Sequence, residues 1–466
     1  IGNGAEGEPL SCKDATLLSR APHLVLDGLQ VAAAAIGSEE VYLYLPSHVV
    51  PTAWKAIDER RAAGLDEPRV RVVEAPDTFV AGVPHDAIAE LRHTDPVHWQ
   101  PMYGQPGFWA VLRHADVVHV ARHPEIFSSE TAGVVVEDLP PDGLARMRNM
   151  LLAMDPPRHQ IHRAPLSQHF RPRVVAGMER HVRDICRDIV GEARERGNVE
   201  FVHDVAARLP TQVIGELFGL PRQDWAYLQK LAGATTSSQD PDLYGPEAAD
   251  GRAGAEMALY AIDFAQNRRH REPVDDLTGA ILAADYNGQP MTDIEFGGFF
   301  VQLVTAGNDT TKGMLSSGLL TLLRHPDQLA RLRGDPGLLP TAVEEIVRYD
   351  NPLHYFRRTA LVDTELSGTR IAAGDKVAMY YTSANRDERV FDEPQTFDIG
   401  RKPNPHLSFG MGGHFCLGAH LARLEGRVFF AELLAAFGSI ELTGDPVRVR
   451  SNLNNSLKTL PIRLAA

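Results

Sequence analysis

"FGMGGHFCLG", residues Phe409 to Gly418, sets one cysteine in a run with glycine at 410, 412, 413 and 418 and histidine at 414. The other two cysteines, Cys12 and Cys186, lie far from it in sequence. After Cys416 the apolar residues Leu417, Leu421, Leu424 and Val428 recur at intervals of three and four until Gly438, which predicts a helix beginning beside the thiol. Free backbone N–H groups and the partial positive charge at a helix start favour thiolate, and glycines admit close approach of backbone to a flat or bulky ligand. A thiolate so placed can be a nucleophile, a redox sensor, or the single protein ligand of a metal that a macrocycle already holds. A buried cysteine in a glycine turn is the plain alternative.

Composition narrows the classes. The chain has 466 residues, 44% hydrophobic and 23% charged, values of a globular protein with a sizeable core. No run of 18 or more apolar residues suits a bilayer span. A net charge of −14 argues against sequence-independent nucleic-acid binding, which needs a basic face. Three scattered cysteines form neither a disulfide framework nor a zinc signature, and no leader pattern is read at Ile1, so a cytoplasmic location is expected.

The first 75 residues alternate helix-like and strand-like segments: a helix pattern at Leu24–Ile36, a strand at Val41–Leu45, a helix at Thr52–Ala63 and a strand at Arg69–Val73. At Ala75-Pro76 the texture changes to long helical patterns broken by Pro and Gly, and the boundary is set there. Thr292-Asp293-Ile294-Glu295 is a capping box, and nothing stops the helix it opens until His325-Pro326, about 30 residues on. Thr341-Ala342-Val343-Glu344 predicts a second capped helix, ending before Pro352. Between Arg358 and Tyr381, short β-rich runs separated by Ser367-Gly368 and Ala373-Gly374 read as a small sheet.

Phe409, Gly410, Gly412, His414, Cys416 and Gly418 resemble the haem-binding loop of the cytochromes P450, whose cysteine is the axial iron ligand. Three further groups match that family in order and spacing, and the resemblance covers residues 76–466. Glu345 and Arg348, three apart and able to pair on one helix face, match a buried lock completed in the family by an arginine, here Arg401. Ala306-Gly307-Asn308-Asp309-Thr310-Thr311 sets glycine and short polar residues, poor helix-interior choices, in the middle of a strong helix. In the family the helix opens there over the haem, and Asp309 and Thr310 match the acid and hydroxyl of proton delivery. His159 and Arg163, four apart, with Arg358, His406 and His414, match propionate-binding positions.

The resemblance implies a mainly α cytochrome P450 fold with a small β-sheet subdomain, preceded by a short α/β segment. It implies haem b (iron protoporphyrin IX) held by Cys416 with His159, Arg163, Ala306, Arg358, His406, Phe409, Gly410, His414 and Gly418 around it. It implies a monooxygenase that hydroxylates an unactivated C–H bond with O2 and electrons from an external ferredoxin and NAD(P)H-dependent ferredoxin reductase. A haem-binding sensor or carrier without turnover is the competing class. Arg423 or Arg427 could contribute to a donor-docking patch or be ordinary helix arginines.

The pocket is expected from Phe300, Leu303, Val304, Leu353, His354, Leu457 and the loop Thr131–Leu139, all largely apolar. Such a lining suits a lipid, terpenoid or steroid. "VQLVTAGNDTT", "YDNPLHYFRRTALVDTELSGTRIAAGDKV" and "LNNSLKTLPIRL" resemble actinobacterial members that oxidise branched fatty chains, isoprenoids and steroid side chains near a chain end. The first 75 residues, with "GNGAEGEPLSCKD" and "EEVYLYLP", instead resemble a fragment of the flavin-carrying subunit of NADH:quinone oxidoreductases. A remnant or docking module without FMN is expected, against a working flavin site at Glu6, Glu8 and Lys13.

Overall fold

The computed structural model describes residues 21–28, 41–45, 50–63, 70–74, 82–102, 105–237, 240, 243, 251–272 and 274–465. The chain divides into two compact units, residues 1–84 with 99–109 and residues 85–98 with 110–466. Glu6, Glu8 and Lys13 lie outside the described residues.

In the first unit, β1 (Val41–Leu45) and β2 (Val70–Glu74) run parallel, with Val41 opposite Val70 and Leu45 opposite Glu74. Parallel neighbours need a crossover, supplied by α1 (Val50–Ala62). Ala53, Ala56, Ile57 and Arg60 of α1 are buried at a 3,4,7 spacing, and Arg60 pairs with Asp27 at 2.8 Å. The helix expected from Leu24 is seen over residues 22–28, and the rest of that expectation lies outside the described residues.

The second unit is mainly helical. Its principal helices are α2 (Arg158–Ser167), α3 (Glu179–Arg196), α4 (Arg208–Leu217), α5 (Trp225–Thr236), α6 (Arg252–Arg269), α7 (Asp293–Arg324), α8 (Leu339–Tyr349) and α9 (Ala419–Ala436). The central one is α7, 32 residues long and buried on almost every side, as expected of a helix that is apolar all round. It starts at the capping box read from sequence: the Thr292 hydroxyl accepts from Glu295 N–H at 3.2 Å, and Thr292 N–H donates to the Glu295 carboxylate at 3.0 Å. Helices α4, α5, α6, α8 and α9 pack against it. A Cβ at Gly318 would stand 2.8 Å from Ile346, so glycine permits the close crossing of α7 and α8.

The second expected capping box does not form. Pro340 sits in the first turn of α8 and starts the helix at Leu339, so Thr341 is already helical and donates to Leu338 O instead. Glu344 is thereby free to pair elsewhere.

The β-rich run becomes β3 (Tyr355–Ala360) and β4 (Lys376–Tyr380), antiparallel with Lys376 opposite Thr359, and a separate hairpin of Thr364–Leu366 with Thr369–Ile371. The hairpin turns at Ser367 and Gly368, both at positive φ. A three-stranded antiparallel sheet joins Ser439–Leu442, Pro461–Ala465 and Asn198–Glu200. Among the described residues no helix is long and apolar enough to cross a membrane.

Candidate functional site

A cavity of about 250 Å³ lies between α7, α2, the 409–418 loop and the start of α9. The loop is shaped by Gly410 and Gly412, both at φ +69°, a region L side chains rarely adopt. A Cβ at Gly412 would also come within 2.6 Å of Ala121 O. Cys416 N–H donates to Phe409 O at 2.7 Å and closes the loop, leaving the thiol two residues before Gly418, the N-cap of α9. Phe409, Gly410, Gly418 and Cys416 all face the cavity.

Burial pushes the Cys416 thiol above its ordinary value, against the Gly418 N–H and the charges of Arg163 and Arg423. Burial and the helix terminus thus act in opposite directions on this thiol, and a coordinated metal cation would deprotonate it outright.

Across the cavity, α2 presents His159 and Arg163, β3 presents Arg358, and the loop presents His414. The two imidazoles lie 4.1 Å apart. Burial, then the Arg163 and Arg358 charges, pushes His159 down to about 4. Burial and Arg358 push His414 down to about 2. Burial also lowers Arg163 and Arg358, which donate to the backbone carbonyls of Phe415 and Arg357. Among the described residues no carboxylate pairs with either arginine, and His159 Nε2 is buried without a partner. Two arginines and two neutral imidazoles converging on a cavity without a carboxylate suit a ligand that brings its own. With the thiol opposite, this donor set fits haem and its two propionates.

His406, expected in that set, is elsewhere. Its Nε2 meets Glu344 at 3.0 Å, outside the cavity wall, because Glu344 offers a nearer anion. Arg423 binds the same carboxylate at 2.6 and 2.8 Å and covers the Phe409 ring at 4.4 Å. Against the upward push of burial, hydrogen bonds from Arg423 and His406 hold Glu344 down to about 2. Arg423 is thus engaged in supporting the loop.

Helix α7 forms the opposite wall with Gln302, Leu303, Ala306 and Thr310. The opening expected in it is not a break: the helix is continuous, and the Thr310 hydroxyl donates to Ala306 O at 2.7 Å. Asp309 is buried behind this face; Oδ1 pairs with Lys312 at 2.8 Å and Oδ2 is buried without a partner among the described residues.

Of the expected pocket residues, Leu303 and Leu353 line the cavity, as does Val134 from the 131–139 loop. Phe300 and Val304 do not. One helical turn apart, they share a different face, where Phe300 packs on Phe218 at 5.1 Å. His354 is buried against the Thr382 hydroxyl at 3.0 Å, with burial pushing it down to about 4, and Leu457 is buried in a strand.

Behind the loop, Glu345 and Arg348 are both 0% exposed and pair at 2.7 Å. Arg401 Nε reaches the same carboxylate at 3.2 Å, and Arg348 also donates to the carbonyls of Asn385, Pro394 and Thr396. The three residues read as a lock are brought together.

Gln302, Glu344 and Glu425 were not anticipated. Glu425 lines the cavity from α9, fully buried; burial pushes it up to about 8 against a hydrogen bond from Thr311. An acid within the apolar stripe of the helix after Cys416 was the signal that could have found it.

Comparison with known proteins places this geometry. A cytochrome P450 family model matches residues 337–464, and a Nuo51 FMN-binding domain model matches residues 1–105. A methyl-branched lipid omega-hydroxylase of Mycobacterium tuberculosis is 40% identical over 387 residues, 81% of this chain and 90% of that one. A steroid C26-monooxygenase of Rhodococcus jostii is 36% identical over 83% of each. A solved cytochrome P450 of Mycobacterium marinum in complex with pseudoionone superposes with a TM-score of 0.79 at 39% identity, covering 83% of this chain and 97% of that one.

Proposed function

The chain belongs to the cytochrome P450 family and is a monooxygenase, and from that premise we propose that it hydroxylates a hydrophobic, chain-like or steroid-type substrate with O2, drawing electrons from an external ferredoxin system. The observation that carries this reading is the cavity that holds Cys416 on one side, two arginines and two imidazoles paired with no carboxylate among the described residues at its edge, and an otherwise largely apolar helix wall opposite. The methyl-branched lipid omega-hydroxylase and the steroid C26-monooxygenase among its relatives, and the neighbour solved with pseudoionone, support the substrate class.

In this reading Cys416 holds the haem iron, Arg163, Arg358, His159 and His414 hold the propionates, and Gly410 and Gly418 give the ring room. The bound haem supplies reductive activation of oxygen, with thiolate ligation favouring O–O cleavage. The chain's own part is placement and proton control. Leu303, Ala306 and Leu353 position a C–H bond and exclude water. Asp309 Oδ2, buried and without a partner among the described residues, is the oxygen that takes up a proton, and the Thr310 hydroxyl passes it into the cavity after leaving Ala306 O. The first 75 residues are read as a module without flavin; FMN released in stoichiometric amount on denaturing the purified protein would overturn that.

The test is a carbon-monoxide difference spectrum of the reduced protein, then turnover of methyl-branched fatty acids, terpenoids and steroids with a surrogate ferredoxin system and product identification. The expected result is a thiolate-type band and a hydroxylated product near a chain end. A normal band with no product from any class would favour the sensor or carrier instead.

A further inference from the structure

Gln302 is the odd side chain in an apolar wall. It stands on α7 at i, with Ala306 at i+4 and Thr310 at i+8, so the three share one stripe facing the cavity. Its Oε1 accepts from Leu152 N–H at 3.2 Å. Because a backbone N–H can only donate, that bond fixes which end of the amide is oxygen. The Nε2 group, with two donors and no partner among the described residues, is left to the cavity. The neighbouring polar groups are committed: Thr310 to Ala306 O, Ser408 to Val347 O, and Thr311 to Glu425. The arginines and imidazoles belong to the carboxylate-binding edge.

We propose that Gln302 is a specificity residue that selects substrates bearing a neutral hydrogen-bond acceptor oxygen, a ketone, ester or hydroxyl, and sets which carbon is oxidised. The inference rests on the monooxygenase reading above and narrows its substrate class. A bare hydrocarbon leaves the amide donors desolvated and unpaired, which is costly, whereas an acceptor oxygen satisfies them. A carboxylate is disfavoured because the surrounding wall is apolar. At a rise of 1.5 Å per residue, Gln302 lies about 6 Å along the helix from Ala306 and about 12 Å from Thr310. The oxidised carbon therefore sits one to two helical turns from the substrate oxygen.

The test uses the haem-loaded full chain and the variants Gln302→Leu and Gln302→Met, with retention of the thiolate-type carbon-monoxide band as the check on folding. Spectral titrations compare a long-chain methyl ketone with the alkane of equal length, and then ketones whose carbonyl is walked along the chain. The wild type should bind the ketone about tenfold more tightly than the alkane, the worth of one good hydrogen bond, with an optimum at one carbonyl position. Both variants should bring the ratio close to one by weakening the ketone and not the alkane. A ratio that survives in both variants, or no discrimination by the wild type, overturns the proposal. Turnover is scored separately: absence of product from every ligand counts against the monooxygenase substrate reading, while the binding ratio still decides the role of Gln302.

Discussion

Replacing Glu425 by glutamine tests whether an acid is held protonated in the cavity wall. The side chain is fully buried, and burial lifts it to about 8 from an ordinary 4.5. A group whose folded value is raised stabilises the fold fully below its unfolded value and loses that contribution as pH rises through the folded one. Glutamine keeps the shape and a hydrogen-bonding oxygen for Thr311 but cannot ionise, so the difference between the two proteins' unfolding free energies isolates this titration; all other groups cancel. The gap of about 3.5 pH units corresponds to about 5 kcal/mol at its limit. Linkage gives the variant an advantage that grows from under about 1 kcal/mol at pH 5 to about 3 kcal/mol at pH 7, and levels off near 5 kcal/mol above about pH 9. Urea unfolding of both haem-loaded proteins at those three pH values measures it. Parallel stabilities across the range would show that Glu425 is ionised in the fold and refute the reasoning.

Other residues give sharper qualitative outcomes. Thr310→Ala should keep consuming NADH through the surrogate donor system while making peroxide instead of product, and unchanged coupling would remove Thr310 from proton delivery. Glu345→Gln leaves Arg348 buried beside a neutral amide, so unfolding free energy should drop by about 3–5 kcal/mol with loss of haem on gel filtration; a change under about 1 kcal/mol would mean the carbonyls of Asn385, Pro394 and Thr396 suffice for the arginine. Gly412→Ala meets both a +69° φ and the Ala121 carbonyl, and should lower haem occupancy and cost about 1–3 kcal/mol of stability; wild-type thermal unfolding would contradict that. His406→Ala should weaken the loop's support through Glu344 but leave propionate binding intact, so a loss of haem affinity matching that of Arg358→Ala would restore His406 to the carboxylate-binding set.

Local chemistry made much of the site legible. A glycine-dense loop before an amphipathic helix locates Cys416 because the conformational need is written in the loop itself. The capping box at Thr292 and the ExxR pair at Glu345 and Arg348 act within one or two helical turns, so their spacing determines their partners. The Thr341 capping box failed because Pro340, one residue earlier, had a stronger claim on where the helix begins.

What tertiary structure alone decided is which side of an element faces the cavity and which partner captures a charge. On a helix buried all round, composition carries no stripe, so Phe300 and Val304 were as eligible as Leu303 until neighbouring helices claimed their face. His406 and His414 are alike in sequence, yet only His414 reaches the cavity, because Glu344 on a separate helix takes the other. Glu425 acquires its character from burial and Gln302 from the Leu152 N–H that fixes its amide, both properties of the assembled fold. Sequence determined what depends on bonds along the chain; contacts between segments far apart in it had to wait for the fold.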